Sequence, residues 1–177
     1  MSQARPRDAV PARIAWAVDL LDPQPADRLL EVGSAPGVAA ALVCERLTTG
    51  HLVAVERSAT GLRRIADRNA EQVASGRLVL RGCALADLDE PADSVDVAFS
   101  VNVNVFWTSS AERELSVLRH VLAPGGRLAV LYGSDVPKGT DLRARILDPV
   151  ARAVSTAGFT VTDVPSEPAG CGVLARA

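Results

Sequence analysis

Lysine is nearly missing from this chain of 177 residues, where Lys138 is the only lysine among nineteen basic side chains. With so much alanine beside so much arginine, that skew reads as coding bias and not as phosphate recognition. Twenty-one acidic residues leave a net charge of −2, which gives a nucleic-acid partner no electrostatic support. Cysteine is scarce too. Cys44, Cys83 and Cys171 form no Cys-x-x-Cys pair and do not cluster with His51 or His120, so a metal site is not expected. Cys44 and Cys171 read as buried thiols. No apolar run reaches the length of a membrane span, and the opening Met-Ser-Gln-Ala-Arg-Pro-Arg-Asp lacks a signal peptide's apolar segment. A cytoplasmic protein is the expectation. Repeats, low-complexity tracts and long linkers are absent as well. What is present is 48% hydrophobic and 23% charged, a globular composition with room for one domain over 1–177 and no second of ordinary size.

Apolar periodicity divides the chain into alternating helices and strands. Ile14, Ala17, Val18 and Leu21 share a helical face that ends before Pro23-Gln-Pro25, so residues 1–27 read as a helix and lead-in. Strands follow at 28–32, 51–56, 77–81, 95–99 and 127–132. Helices between them are marked by Val38 to Leu47, by Leu62, Ile65, Ala66, Asn69 and Val73, and by Leu115, Leu118 and Leu122. A helix over about 141–157 and two last strands, 159–164 and 172–177, complete the order. Valine- and leucine-rich strands alternating with helices predict a parallel sheet covered on both faces. The connection 164–172 is too short for a helical crossover, so the last strand should be antiparallel to its neighbours.

The most informative stretch is Leu29-Leu30-Glu31-Val32-Gly33-Ser34-Ala35-Pro36-Gly37. An apolar strand ends in an acid, then breaks into a glycine turn that opens a helix. Gly33 permits the sharp turn, a small residue at 35 admits a ligand close to the backbone, and the helix start offers free N–H groups. A dinucleotide fingerprint would require glycine where Val38 stands. The Glu-x-Gly-x-small-x-Gly pattern instead resembles motif I of class I S-adenosylmethionine-dependent methyltransferases, with Ala35 where many members carry glycine. The resemblance extends over nearly the whole chain. It includes the turn Leu122-Ala-Pro-Gly-Gly-Arg-Leu128, the opening Arg13-Ile-Ala-Trp16 to Leu21-Asp-Pro-Gln-Pro25, and the terminal hairpin. It implies a single Rossmann-like domain, a seven-stranded mostly parallel sheet with an antiparallel last strand and helices on both faces.

Ligands of such sheets bind beyond the carboxyl ends of the strands. The resemblance therefore implies a cofactor set of Glu31, Gly33, Ser34, Ala35, Gly37, Glu56, Arg57, Cys83, Ala84 and Asn102. Glu31 and the turn would lie under the methionyl and ribose part. Glu56 would accept from both ribose hydroxyls, since a carboxylate is acceptor-only and takes two donors. Arg57 would flank the adenine or stand in solvent. The pattern departs at Gly82-Cys83-Ala84, where members often carry Gly-Asp-Ala and the Asp accepts from the adenine amine. A thiol accepts poorly, so that contact must weaken, pass to the backbone or fall to Asp87. After strand four, Asn102 and Asn104 suit a site beside a cationic sulfonium, and Phe106 and Trp107 either line an acceptor pocket or pack in the core.

No general base stands out, because His51 starts a strand at the opposite edge and His120 lies off its helix's apolar face. Asp135, Tyr132 and Asn104 are the catalytic candidates, with Asp135 the best polar one at the end of strand five. Transfer from an activated sulfonium can proceed by positioning alone, which supplies roughly 7–11 kcal/mol in favourable cases. The leading expectation is methyl transfer to an O, N or C nucleophile of a small molecule, releasing S-adenosylhomocysteine, by a monomer or weak homodimer. A nucleoside-binding protein that has lost catalysis is the alternative, and a nicotinamide-dependent oxidoreductase is a more distant one. Neither Asn-Pro-Pro-Tyr nor Asp-Pro-Pro-Tyr occurs, the pattern of amino-methylating nucleic-acid enzymes.

Overall fold

Successive residues of the central strands are apolar on both sides because both sides are covered. In a computed structural model that describes residues 10–133 and 141–177, the helices are α1 (Ala12–Leu21), α2 (Val38–Arg46), α3 (Ala59–Arg68), α4 (Ala70–Ala74), α5 (Val105–Thr108), α6 (Glu112–Val121) and α7 (Asp148–Thr156). The strands are β1 (Arg28–Val32), β2 (His51–Val55), β3 (Leu78–Arg81), β4 (Val95–Val101), β5 (Leu122–Gly133), β6 (Thr160–Asp163), β7 (Ser166–Glu167) and β8 (Gly170–Arg176). They form one mixed sheet in the order β3-β2-β1-β4-β5-β8-β6, with β7 paired to β8. The β1–β2, β1–β4, β2–β3 and β4–β5 pairings are parallel. β8 runs antiparallel to β5 and β6, as the short 164–172 connection requires.

The pleat sends alternate residues to two cores. Leu30 and Val32 of β1 and Ala98 of β4 join Leu115, Leu118, Val150 and Val154 of α6 and α7. Leu29, Val97 and Phe99 face the other way, onto Ala17, Val18, Ala40, Val43 and Ile65 of α1, α2 and α3. Each fully buried leucine contributes roughly 1.5–3 kcal/mol against leaving it in water. Glu31 belongs to the second face, which is why an acid ends up among apolar neighbours.

Several boundaries differ from the sequence expectation, each for a local reason. The sheet has eight strands, because Ser166–Glu167 folds back on Gly170 and Cys171 before β8 continues. The helix expected through Val73 is interrupted at Asn69, whose backbone leaves helical geometry at ψ 36°. The helix expected over 141–157 opens as a π-type turn, Arg143–Leu147, before α7. Pro149 has no N–H to donate to the preceding turn, so a regular ladder cannot pass through it. β5 starts earlier than expected and absorbs the Pro124-Gly-Gly126 turn, with a shift in its pairing to β4 between Val95 and Val97.

The amino ends of the strands are tied by ion pairs. Arg28 donates from its backbone N and Nε to Asp96 Oδ2 at 2.9 and 3.0 Å, and from Nη2 to Oδ1 at 2.6 Å. Arg127 donates to the Leu21 carbonyl at 2.8 Å and reaches Asp27 at 3.4 Å.

Candidate functional site

The turn after β1 is held from below and from one side. Gly33 has φ 70° and Gly37 has φ 85°, both in the region that favours glycine. A Cβ on Gly33 would lie 2.7 Å from Val103 Cγ2, and one on Gly37 would lie 2.6 Å from Asn69 Nδ2. The Asn69 amide explains that second approach. It is fully buried and donates to the carbonyls of Gly37, at 3.1 Å, and Ile65, at 2.9 Å. Arg68 Nε donates to the Pro36 carbonyl at 3.2 Å. Two successive residues at the end of α3 thus grip the turn that opens α2. Asn69 was legible only as one polar residue on an apolar helical face.

Glu31 lies beneath the turn, only 4% exposed. Its Oε2 is buried and has no hydrogen-bond partner. Burial pushes its carboxyl up to about 8. Ser34, also buried, turns its hydroxyl inward to the Glu31 carbonyl at 3.1 Å. Ala35 is exposed on the turn's outer side.

Above these residues the carboxyl ends of β1, β2, β3 and β4 enclose a cleft of about 420 Å³. Gly33, Glu56, Arg57, Cys83, Ala84 and Asn102 of the expected set line it. Glu31, Ser34, Ala35 and Gly37 do not: the first two and Gly37 are buried, and Ala35 is exposed on the turn. Glu56 follows β2 directly, and its Oε1 accepts from the Ser58 backbone N–H at 2.8 Å. A Cβ on Gly61 would lie 2.8 and 2.9 Å from Glu56 Cγ and Cδ, so the missing side chain leaves the Glu56 carboxylate its place. Ser58 Oγ accepts from Gly61 N–H at 3.2 Å, capping α3 at the same point. The cleft wall also holds Glu114, from the first turn of α6. The sequence signal for Glu114 was faint: an acid one residue before the core Leu115.

Asn102 adopts φ 60° and its Oδ1 accepts from Gly133 N–H at 2.7 Å, tying the carboxyl ends of β4 and β5 together. Asn104 lines the cleft at the start of α5 and accepts from Trp107 Nε1 at 3.4 Å.

Other expected residues are placed elsewhere. Tyr132 is corrected as a base: it is 3% exposed, donates its hydroxyl to the Val103 carbonyl at 3.4 Å, and burial raises its phenol further. Phe106 is a core residue, 2% exposed, and not a pocket wall; Trp107 packs against the same core. Asp87 pairs with Arg113 at 3.2 Å and is absent from the cleft wall. Asp135 lies outside the described residues. Among the described residues no cluster of three or more His, Cys, Asp or Glu could hold a metal ion, and no helix is long and apolar enough to cross a membrane. A larger groove, about 630 Å³, runs between α6 and α7, away from the strand ends, with none of the turn or strand-end residues in its wall.

A family model described as a methyltransferase domain matches residues 29–126, from β1 through the turn within β5. A search of curated proteins finds no match. Among solved structures, a SAM-dependent methyltransferase from Aquifex aeolicus superposes with a TM-score of 0.76 at 15% identity, covering 92% of this chain and 88% of that one. The geranyl diphosphate C-methyltransferase from Streptomyces coelicolor A3(2), in complex with Mg2+, geranyl diphosphate and S-adenosyl-L-homocysteine, gives 0.73 at 15% identity, over 93% and 77%. The [4+2]-cyclase SpnF gives 0.72 at 22% identity, over 93% and 62%. At these identities the superpositions establish the fold, and a fold hosts more than one chemistry.

Proposed function

The chain belongs to the methyltransferase-domain family and is a class I S-adenosylmethionine-dependent methyltransferase, and from that premise we propose that it methylates an O, N or C nucleophile of a small molecule. We read residues 1–177 as one such unit acting in the cytoplasm, as a monomer or weak homodimer. The observation that carries the placement of the cofactor is the pair of carboxylates it would meet. Glu31 Oε2 is buried without a partner directly under the glycine turn, which suits a cationic amino group or an ordered water beside it. Glu56 is held at the end of β2 with Gly61 leaving it room, which suits a diol. The residues present therefore fit the cofactor that the family uses.

When bound, S-adenosylmethionine supplies a methyl group on an already activated sulfonium. The chain's own part is positioning. Glu31, Gly33 and the turn clamped by Arg68 and Asn69 hold one end, Glu56 holds the ribose, and Arg57, Cys83 and Ala84 border the other end. Asn102 sets the distance between the ends of β4 and β5, and so fixes the side from which an acceptor enters. Asn104, Val103 and Val105 line that side. No histidine or tyrosine hydroxyl lines the cleft among the described residues, which favours an acceptor nucleophilic without deprotonation or activated by Asp135. The net charge of −2 favours a small molecule over a nucleic acid.

The test is product formation. Incubation with methyl-deuterated S-adenosylmethionine and a panel of phenols, amines and activated carbon acids should yield S-adenosylhomocysteine and a labelled product with at least one acceptor. Tight cofactor binding with no acceptor-dependent turnover across such a panel would favour the nucleoside-binding alternative.

A further inference from the structure

We infer that Glu114, on α6, reads the exocyclic amine of the cofactor's adenine in this chain, taking the place of the acid missing after β3. The inference rests on the cofactor reading above. The cleft border after β3 is Gly82, Cys83 and Ala84, followed by a 3₁₀ turn at Leu85–Asp87. Cys83 offers that border a thiol, a weak acceptor. Asp87 is engaged elsewhere: it does not line the cleft, is 64% exposed, and its Oδ1 accepts from Arg113 at 3.2 Å.

Glu114 is, beside Glu56, the other carboxylate in the cleft wall. It lines the same cleft as Cys83, Ala84 and Leu85, is half-buried, and makes no hydrogen bond or ion pair among the described residues. Its backbone is anchored beside the 3₁₀ turn, because the adjacent Leu115 is 1% exposed and shares a core with Leu85. Successive residues on a helix point about 100° apart, so Arg113 turns outward to Asp87 while Glu114 turns to the cleft. The wall thus holds two carboxylates, each on a different border. Glu56 has a backbone N–H on one oxygen. Glu114 has both oxygens open, the arrangement that accepts an amine.

The test measures base selectivity by calorimetric titration, with S-adenosylhomocysteine and with its inosine counterpart, which carries a carbonyl in place of the amine. The native protein should prefer the adenosine form by roughly tenfold or more, since a carboxylate facing a carbonyl gains no hydrogen bond. Glu114→Ala should weaken the adenosine form by about tenfold and abolish the preference. Glu114→Gln, whose amide also donates, should bind the inosine form more tightly than the native protein does. Asp87→Ala, on the exposed pair, should leave selectivity unchanged. Native-like selectivity in Glu114→Ala, or its loss in Asp87→Ala, would overturn the assignment of Glu114 while leaving the cofactor reading intact. Failure of the native protein to bind either nucleoside would overturn both.

Discussion

The two edges of the sheet treat polar groups in opposite ways. At the amino edge Arg28 and Asp96 satisfy one another three times over, and Arg127 fastens α1's last carbonyl to the lead-in before β1. At the carboxyl edge stand the four buried side-chain atoms without partners among the described residues: Glu31 Oε2, Ser100 Oγ, Asn69 Oδ1 and Trp16 Nε1. Glu31 and Ser100 are next to last in β1 and near the end of β4, Asn69 lies against Gly37, and Trp16 lies against Gly170, opposite Gly133. A buried polar atom left alone costs about 1–3 kcal/mol. Unsatisfied buried polar atoms therefore collect at the edge where the proposed cleft opens, and the ion pairs of Arg28 and Arg127 at the edge opposite it.

The difference has a sign that pH reveals. Asp96 is held below its ordinary value by its hydrogen bonds from Arg28, so its contribution is present above about 3.8 and is lost as pH falls. Glu31 is raised to about 8, so the folded protein keeps a proton that the unfolded chain releases near 4.5. Its contribution is present at low pH and is lost as pH rises through 8. The amino edge weakens in acid and the carboxyl edge in base.

The largest expected effect breaks that contrast at Glu31. Glu31→Gln should remove the decline in stability between pH 5 and 8, leaving the variant more stable at pH 9 by roughly a few kcal/mol. Urea unfolding across that range measures it, and superimposable profiles for the two proteins would contradict the burial account. Glu56→Ala comes next. It should weaken S-adenosylhomocysteine binding by at least about tenfold, from the loss of charge-assisted hydrogen bonds of roughly 1.5–3 kcal/mol each. Ligand-free stability should change little, since Glu56 is only partly buried. The smallest effect sharpens the contrast from the other side. Arg28→Ala opens a pair whose side chains are 39% and 37% exposed, so the loss should be near 1 kcal/mol. The Kd for the nucleoside should stay within twofold. A Kd that moved with the amino edge would show that the edges are coupled.

Much of the fold was legible because the sheet is covered on both sides. Strands such as Leu29–Val32 and Leu52–Val55 announce themselves as apolar runs, and the length of 164–172 sufficed to orient β8. Boundaries were less legible where one residue outweighs periodicity. Asn69 stops α3 by bonding to another loop, and Pro149 keeps the regular ladder of α7 from extending back through Arg143–Leu147. The glycine turn, Glu31 and Glu56 could be placed at the carboxyl edge because each stands at or just beyond the end of a strand. Tyr132 also ends a strand, yet its side chain turns into the core shared with α6 and α7, a choice of face that strand position alone does not decide. Glu114 and Asn69 enter from helices packed on the sheet, and only the packing brings the one to the cleft and the other to the glycine turn.

The central claim is that the carboxyl edge is built for a sulfonium nucleoside, and ligand-induced stabilisation tests it most directly. A ligand at about 100 times its Kd adds roughly 2.7 kcal/mol, and in a domain of this size each kcal/mol moves the melting midpoint by about 2–4 °C. S-adenosylmethionine and S-adenosylhomocysteine should each raise the midpoint by several degrees, while NAD and NADP leave it unmoved. A rise with the dinucleotides alone, or no rise with any of the four at millimolar concentration, would contradict the account.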